Sequence, residues 1–310
     1  MKKFLKSRIK LAIEMLPMGR DLYLQLVRKR LGISYRGGFP TYQDALAAAE
    51  RDKREYDIVN RNKAEHQQEE ESIIDHYLRH YDYPLLFWLS RLLHPDARVL
   101  ELGGSVGHFY YTSKSYFPHP GDLDWTIAEL PQAVELGEKI ARKREESQLR
   151  FVDSSKLDQT IGADVFVSAG TLQYMDTSLG KILESLGSLP EHVLLNSVPA
   201  HEEREGWTLQ YLEVCEIPYR VFSRRSFNAE MESLGYVLVD HWEHPRDIEI
   251  PFHAELDVDE YSGFYWRHKN AEQAGIPSPI VRLENHRRDR RESDRTDRPS
   301  RRFRRSASDR

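Results

Sequence analysis

Three acids stand where an apolar run gives way to a turn: Glu101 in VLELGG, Glu129 after WTIA and Asp153 after LRFV. A carboxylate at such an edge can hold an ammonium group, accept from two neighbouring hydroxyls, or reach the rim of a heterocycle. Each alone fits a solvated strand end or a helix cap equally well; three in succession make a pattern. Between the first and the second lies Gly103, Gly104, Ser105, Val106, Gly107. Glycines let backbone come close to a ligand, and the helix expected from His108 to Tyr116 offers free amides at its N-terminus.

Three chemistries could use this turn. A dinucleotide fingerprint needs glycines at its first, third and sixth positions, here Gly103, Ser105 and His108, so two of the three fail. The same residues satisfy G-x-S-x-G, the nucleophile elbow of an α/β hydrolase, with Ser105 as nucleophile. That elbow follows several strands, however, and no strand is expected here before about Arg98. The third chemistry is S-adenosylmethionine binding. Glu101, two residues before the first glycine, would hold the methionine ammonium, Glu129 the ribose hydroxyls and Asp153 the adenine edge, with Gly103, Gly104, Ser105 and Gly107 as the cradle.

Further along, the polar exit SAGTLQY places Ser168 and Gly170 where a transferred methyl would lie, and Gln173, Tyr174 and Gln210 as candidates for acceptor binding. His201, just past a strand end, is the candidate general base for a sugar or phenol hydroxyl; its plainer reading is a surface-loop histidine. Trp207, Tyr211 and Tyr219 read first as packing. Cys215 is the single cysteine, which excludes an internal disulfide and a thiolate zinc cluster, and no metal is expected. A reducing, cytoplasmic setting follows as the expectation.

The elements that must position these residues are legible as periodicity. Short apolar runs at 99–102, 125–128, 149–152, 165–167 and 193–195 alternate with helical stretches at 130–144 and 178–189, the βαβ signature of a parallel sheet. Ser223 caps a further helix that Gly235 closes, and 236–242 and 262–266 read as two more strands. The class is α/β, doubly wound and Rossmann-like.

Four regions follow: 1–32, a basic amphipathic helical N-terminus; 33–95, a helical cap; 96–270, the S-adenosylmethionine-binding domain; and 271–310, a disordered arginine-rich tail. In the second, Thr41 and Asp44 look like a helix N-cap and its partner. From Arg282 onward, twelve arginines and six acids leave +6 in the tail, so with −5 overall the remainder stands at −11. A body this acidic argues against nucleic acid on the folded core, where phosphate contacts need clustered cations. Neither a signal peptide nor a membrane span is read at the N-terminus; its basic helices pack on the domain or, as the second reading, lie on a membrane surface.

The sequence also resembles a family of bacterial methyltransferases of uncharacterised function, often associated with polysaccharide gene clusters. The likeness runs from about Tyr35 to Trp266. It rests on YRGGFPTYQDA (35–45), ELGGSVG (101–107), ADVFVSAGTLQY (163–174), HVLLNSVP (192–199), PYRVF (218–222), residues 234–242, and Pro251, Phe252 and His253. It implies a class I fold of seven strands with the last antiparallel, S-adenosylmethionine as cofactor, and leaves the acceptor open. Ser105 departs from the broader class I pattern, in which a middle glycine is usual. A non-catalytic scaffold that binds S-adenosylmethionine remains the alternative from a different functional class.

Overall fold

The computed structural model describes residues 35–49, 78–118, 121–158, 162–212 and 215–271. The basic N-terminus, the charge-dense stretch up to Tyr77 and the arginine-rich tail lie outside the described residues.

The strands are β1 (Tyr35–Phe39), β2 (Arg98–Leu102), β3 (Asp124–Glu129), β4 (Leu149–Asp153), β5 (Val165–Ala169), β6 (His192–His201), β7 (Gly206–Leu212), β8 (Cys215–Ser223), β9 (Tyr236–Ile248) and β10 (Val258–His268). Helices α1 (Tyr42–Ala48), α2 (Tyr83–Leu92), α3 (His108–Ser113), α4 (Pro131–Lys143), α5 (Leu179–Ser185) and α6 (Arg224–Ser233) connect or flank them. Seven strands form the order β4-β3-β2-β5-β6-β10-β9, in which β10 is antiparallel to both neighbours and β2 through β6 pair in parallel. This is the doubly wound α/β fold expected from the sequence, with the antiparallel last strand.

Side chains alternate across the sheet, as the two-residue period of a strand requires. Val99, Val165, Val167, Leu194 and Tyr265 point into one core with Leu85, Leu89 and Phe109 from α2 and α3. Leu100, Phe166, Val193, Leu195 and Trp266 point into the other with Ile182, Leu183, Phe227 and Met231 from α5 and α6. Most of these helices begin where the sequence offers a cap or an opening proline. Thr41 accepts from Asp44 N–H, Ser178 from Lys181 N–H and Ser223 from Ser226 N–H, and Pro131 opens α4.

Two expectations are corrected. A strand does precede Arg98: β1 pairs antiparallel with β7, with an irregularity between Arg36 and Phe39 at which Gly37 takes φ +73°. Gly37 and Gly38 fall at this irregularity inside the strand. Second, the stretch after His201 is the antiparallel pair β7–β8, so among the described residues the sheet holds ten strands, with β1, β7 and β8 added to the expected seven. Pro218 lies within this pair, opposite Leu209, and β8 meets β6 at Phe222 and Ser223.

The added sheet β1-β7-β8 stands at the carboxyl end of β6 and faces the long β9–β10 hairpin. Tyr35, Tyr219, Val221, Ile248, Val258 and Tyr261 form the core between them. Arg36 clamps its far side, donating to both carboxylate oxygens of Glu216 at 2.8 and 2.7 Å.

Candidate cofactor and acceptor site

Glu101 is the next-to-last residue of β2, opposite Ile127 of β3. Its carboxylate is buried, 2% exposed, and Oε2 accepts from the Trp125 indole at 2.9 Å. Gly104 passes directly over it: a Cβ there would stand 2.6 Å from the Glu101 carboxyl carbon. Burial pushes the Glu101 carboxyl up to about 7; the indole donor works against this, the charges of Glu129 and Asp82 add to it, and Arg79 opposes it. No basic side chain among the described residues pairs with Glu101, because Arg79 spends its Nε on Asp82 at 2.8 Å.

Gly103 takes φ +78°, and its N–H donates to the Ala128 carbonyl at 2.9 Å. A side chain at this position would meet the Thr171 hydroxyl, 1.9 Å from an ideal Cβ. The glycine is therefore required by a neighbouring loop as well as by any ligand. Ser105 follows in the left-handed region at φ +53°, and its N–H donates to Glu129 Oε1 at 3.2 Å. The other oxygen of Glu129 accepts from Leu130 N–H at 2.7 Å. Gly107, φ +98°, turns the chain into α3. Turn and second acid are thus physically joined.

Asp153 lies beside Glu129 in the β3–β4 register. It accepts from the Ser155 hydroxyl at 2.7 Å and the Ser155 N–H at 2.9 Å, which hold its carboxyl below the usual range. Ser168 is turned into the sheet, donating to the Leu102 carbonyl at 3.0 Å while 1% exposed. Gly170 takes φ +78°, donates to the Asn196 carbonyl at 3.0 Å and accepts from the Gln173 amide at 2.8 Å. The remaining polar atom of that side chain, Gln173 Oε1, is buried without a partner.

Tyr174 and Gln210 are brought together, while Gln173 bonds within its own loop. Tyr174 donates to Gln210 Oε1 at 2.9 Å, and Gln210 Nε2 donates to the Tyr35 hydroxyl at 3.3 Å. The chain continues through Tyr261, 3.5 Å from the Tyr35 hydroxyl and 2.6 Å from that of Tyr219. His201 stands apart from this group in its bonding. Its Nδ1 accepts from the N–H groups of Glu203 and Arg204 at 3.2 and 3.0 Å, so it braces the turn after β6.

Residues 79–82 lie between the two groups. Asp82 is 1% exposed and accepts from Arg79 and, at 3.2 Å, from Asn196 Nδ2. The same nitrogen donates to the Tyr81 carbonyl at 2.9 Å. Asp82 and Arg79 act electrostatically on Glu101 and His108 on one side and on His244 on the other. Trp125, Asp82, Tyr81, Tyr35, Tyr261 and His244 were not among the sequence candidates. Asn196 appeared only within the motif HVLLNSVP.

No family model matches the chain, and no curated protein matches it. Solved structures do. The 1,6-didemethyltoxoflavin-N1-methyltransferase of Burkholderia thailandensis, solved with its substrate and S-adenosylhomocysteine, is 17% identical over 70% of this chain and 91% of its own, with a TM-score of 0.44. An S-adenosylmethionine-dependent methyltransferase of Clostridium acetobutylicum is 11% identical over 67% of this chain and 98% of its own, TM-score 0.43. The [4+2]-cyclase SpnF is 14% identical over 60% and 80%, TM-score 0.41. The likeness is one of fold, and it spans differing activities; the functional reading rests on the site.

Proposed function

We propose that the chain is an S-adenosylmethionine-dependent methyltransferase. One observation carries this reading: a fully buried carboxylate, Glu101, beneath a glycine turn, with a single side-chain donor and no cation paired to it among the described residues. A buried charge without a partner is costly, and an incoming ammonium group would supply one. The neighbouring features fit the rest of the cofactor. Glu129 stands one strand over, bonded to the turn, where ribose hydroxyls would add to or replace its two backbone donors. Asp153 lies next to it for the adenine edge.

When bound, the cofactor supplies an electrophilic methyl group on sulfur. The chain's own part is to align the acceptor and exclude water. The loop Gly170–Tyr174 and the Tyr35–Gln210–Tyr261–Tyr219 network border the carboxyl end of β5 and β6, where the acceptor would lie. For the acceptor we infer a hydroxyl of a sugar or glycan precursor, supported by the resemblance to methyltransferases of polysaccharide gene clusters. We place the reaction in the cytoplasm, with the basic N-terminus as a contact to the inner membrane face; no helix among the described residues is long and apolar enough to cross a membrane.

Calorimetric titration with S-adenosylhomocysteine tests the reading. Micromolar binding by the wild type that is lost in Glu101→Ala is expected; equal binding by both proteins would overturn it.

A further inference from the structure

Two histidines among the described residues are buried, and they are built differently. His192, 8% exposed, has its Nδ1 3.0 Å from the Tyr265 hydroxyl. His244, 5% exposed, has neither ring nitrogen hydrogen-bonded. A packing histidine satisfies at least one nitrogen, since leaving a buried polar atom unpaired costs about 1–3 kcal/mol. The unpaired ring of His244 therefore marks a place where a partner is supplied from outside the described residues.

Its surroundings say which kind. His244 lies on β9 opposite Tyr261 of β10, whose other neighbour is Pro199 of β6. Its ring stacks on Tyr81 with centroids 4.8 Å apart and planes 17° apart, and it stands 5.9 Å from the Tyr261 ring. Tyr81 is held by Asn196, the β6 residue opposite Ala169, where β5 leaves into the Gly170–Tyr174 loop. The imidazole thus stacks on Tyr81, whose backbone is tied through Asn196 to the strand end from which the Gly170–Tyr174 loop leaves.

Resting on the methyltransferase reading, we propose that His244 is the catalytic base: it binds a hydroxyl-bearing acceptor and takes its proton as the methyl is transferred. The acceptor oxygen forms a bond to the methyl carbon, and the carbon–sulfur bond breaks with its electron pair going to sulfur. The hydroxyl proton passes to an unpaired nitrogen of His244, and the imidazolium later releases it to water. The groups facing His244 suit this role. Burial first, then the positive charges of Arg246 on its own strand and of His80 and Arg79 before α2, hold the ring below the usual imidazole range; Asp82 opposes them. The ring is neutral, and so able to accept a proton, at neutral pH. An acceptor that needs no base, such as a thioether or a tertiary amine, would leave this ring unused.

The test uses the full chain. S-adenosylhomocysteine is titrated into wild type and into His244→Gln and His244→Ala. Affinities within threefold place His244 outside the cofactor pocket, as proposed, and show the variants folded; a tenfold loss in both variants overturns the proposal. No binding by the wild type would instead overturn the methyltransferase reading itself. Radiolabelled methyl transfer is then measured with catechol, methyl glucopyranoside and glucuronic acid as hydroxyl probes. For any probe methylated by the wild type, kcat is expected to fall at least about a hundredfold in both variants, with KM little changed and the acid limb of the pH profile removed. His201→Ala should leave transfer unchanged. A His244→Gln enzyme within threefold of wild-type kcat overturns the assignment. A further readout needs no turnover: imidazole nitrogen resonances of His244 in the S-adenosylhomocysteine-loaded protein should move on adding the probes. If none of the three moves them and none is methylated, His244 faces no hydroxyl acceptor and the proposal fails.

Discussion

The carboxyl ends of β2 and β3 and those of β6 and β9, which border one site in the proposed function, are built in opposite ways. On the cofactor side the work is done by backbone and carboxylates. Gly103, Gly104 and Gly107 shape a turn, Ser105 N–H ties it to Glu129, and Trp125 and Tyr111 contribute rings. On the acceptor side the polar groups come mainly from side chains carried on strands and on two short 3-10 turns: Tyr35, Tyr81, Tyr174, Tyr219, Tyr261, Gln210 and His244. A backbone cradle with acids fits a ligand whose charges and hydroxyls are fixed, while an aromatic wall can be recut for different acceptors by substitution without disturbing the sheet.

The comparison breaks first if Glu101 is not the hinge of the cofactor side. Glu101→Gln should weaken S-adenosylhomocysteine binding on the order of a hundredfold, because a buried ion pair loses one partner. The same change should stabilise the ligand-free protein. The folded carboxyl titrates near 7, against 4.5 as the ordinary value, so the native state binds more protons than the unfolded state between those values, and stability falls as pH rises through that window. Above pH 7 the full cost, about 3 kcal/mol from a shift of this size, is present in the wild type and absent in the Gln variant. Denaturation at pH 8 should favour Glu101→Gln, and the gap should close toward pH 5. In the wild type, ligand affinity should rise with pH through 7 with release of a proton, read by calorimetry in buffers of different ionisation enthalpy. A variant no more stable than wild type at pH 8 would show that the buried carboxylate carries no such cost.

Smaller effects sharpen the contrast. Glu129→Ala should weaken S-adenosylhomocysteine binding by about tenfold, the loss of one charge-assisted bond, and should abolish the preference for the full ribose over 2′-deoxy and 3′-deoxy analogues. On the acceptor side, Tyr261→Phe removes the 2.6 Å bond to Tyr219 between two hydroxyls that are both buried. It should cost about 1–2 kcal/mol of stability in chemical denaturation and leave cofactor affinity unchanged. Equal loss of affinity in Tyr261→Phe and Glu129→Ala would mean that the two halves are not separable.

The same contrast explains what could be read from the sequence. The cofactor side is local: Glu101, the glycine turn and α3 are contiguous, and Glu129 and Asp153 sit at ends of strands whose apolar runs are plain. Periodicity and turn chemistry suffice there. The acceptor side joins residues far apart in the chain, as in the Tyr35–Tyr261 and Asn196–Asp82 contacts, and no local pattern announces such pairings. β1 was hidden because its glycines fall at an irregularity inside the strand, and β8 because Pro218 interrupts its run, although it pairs with Leu209 of β7. His201 drew attention by standing near a strand end, where its nitrogen is spent on a turn; His244 lies inside a long hairpin strand, and only its missing partners reveal it.

The smallest expected effect is also the one that separates two chemistries at the same turn. Ser105 sits at φ +53°, a conformation that costs a non-glycine residue roughly 1–2 kcal/mol. Ser105→Gly removes that strain but frees the unfolded chain by about 0.4–1 kcal/mol, so thermal stability should rise slightly or stay level. The contact the turn makes with Glu129 runs through the Ser105 backbone N–H, which glycine keeps, so S-adenosylhomocysteine affinity should stay within about threefold. A serine hydrolase would respond in the opposite sense. Its nucleophile would label stoichiometrically with a fluorophosphonate, and the glycine variant would lose both label and activity. Wild-type protein is expected to show no labelling at Ser105. Stoichiometric modification there, together with unchanged ligand binding on loss of Glu101, would reverse the assignment, because the turn would then serve its hydroxyl and not its backbone.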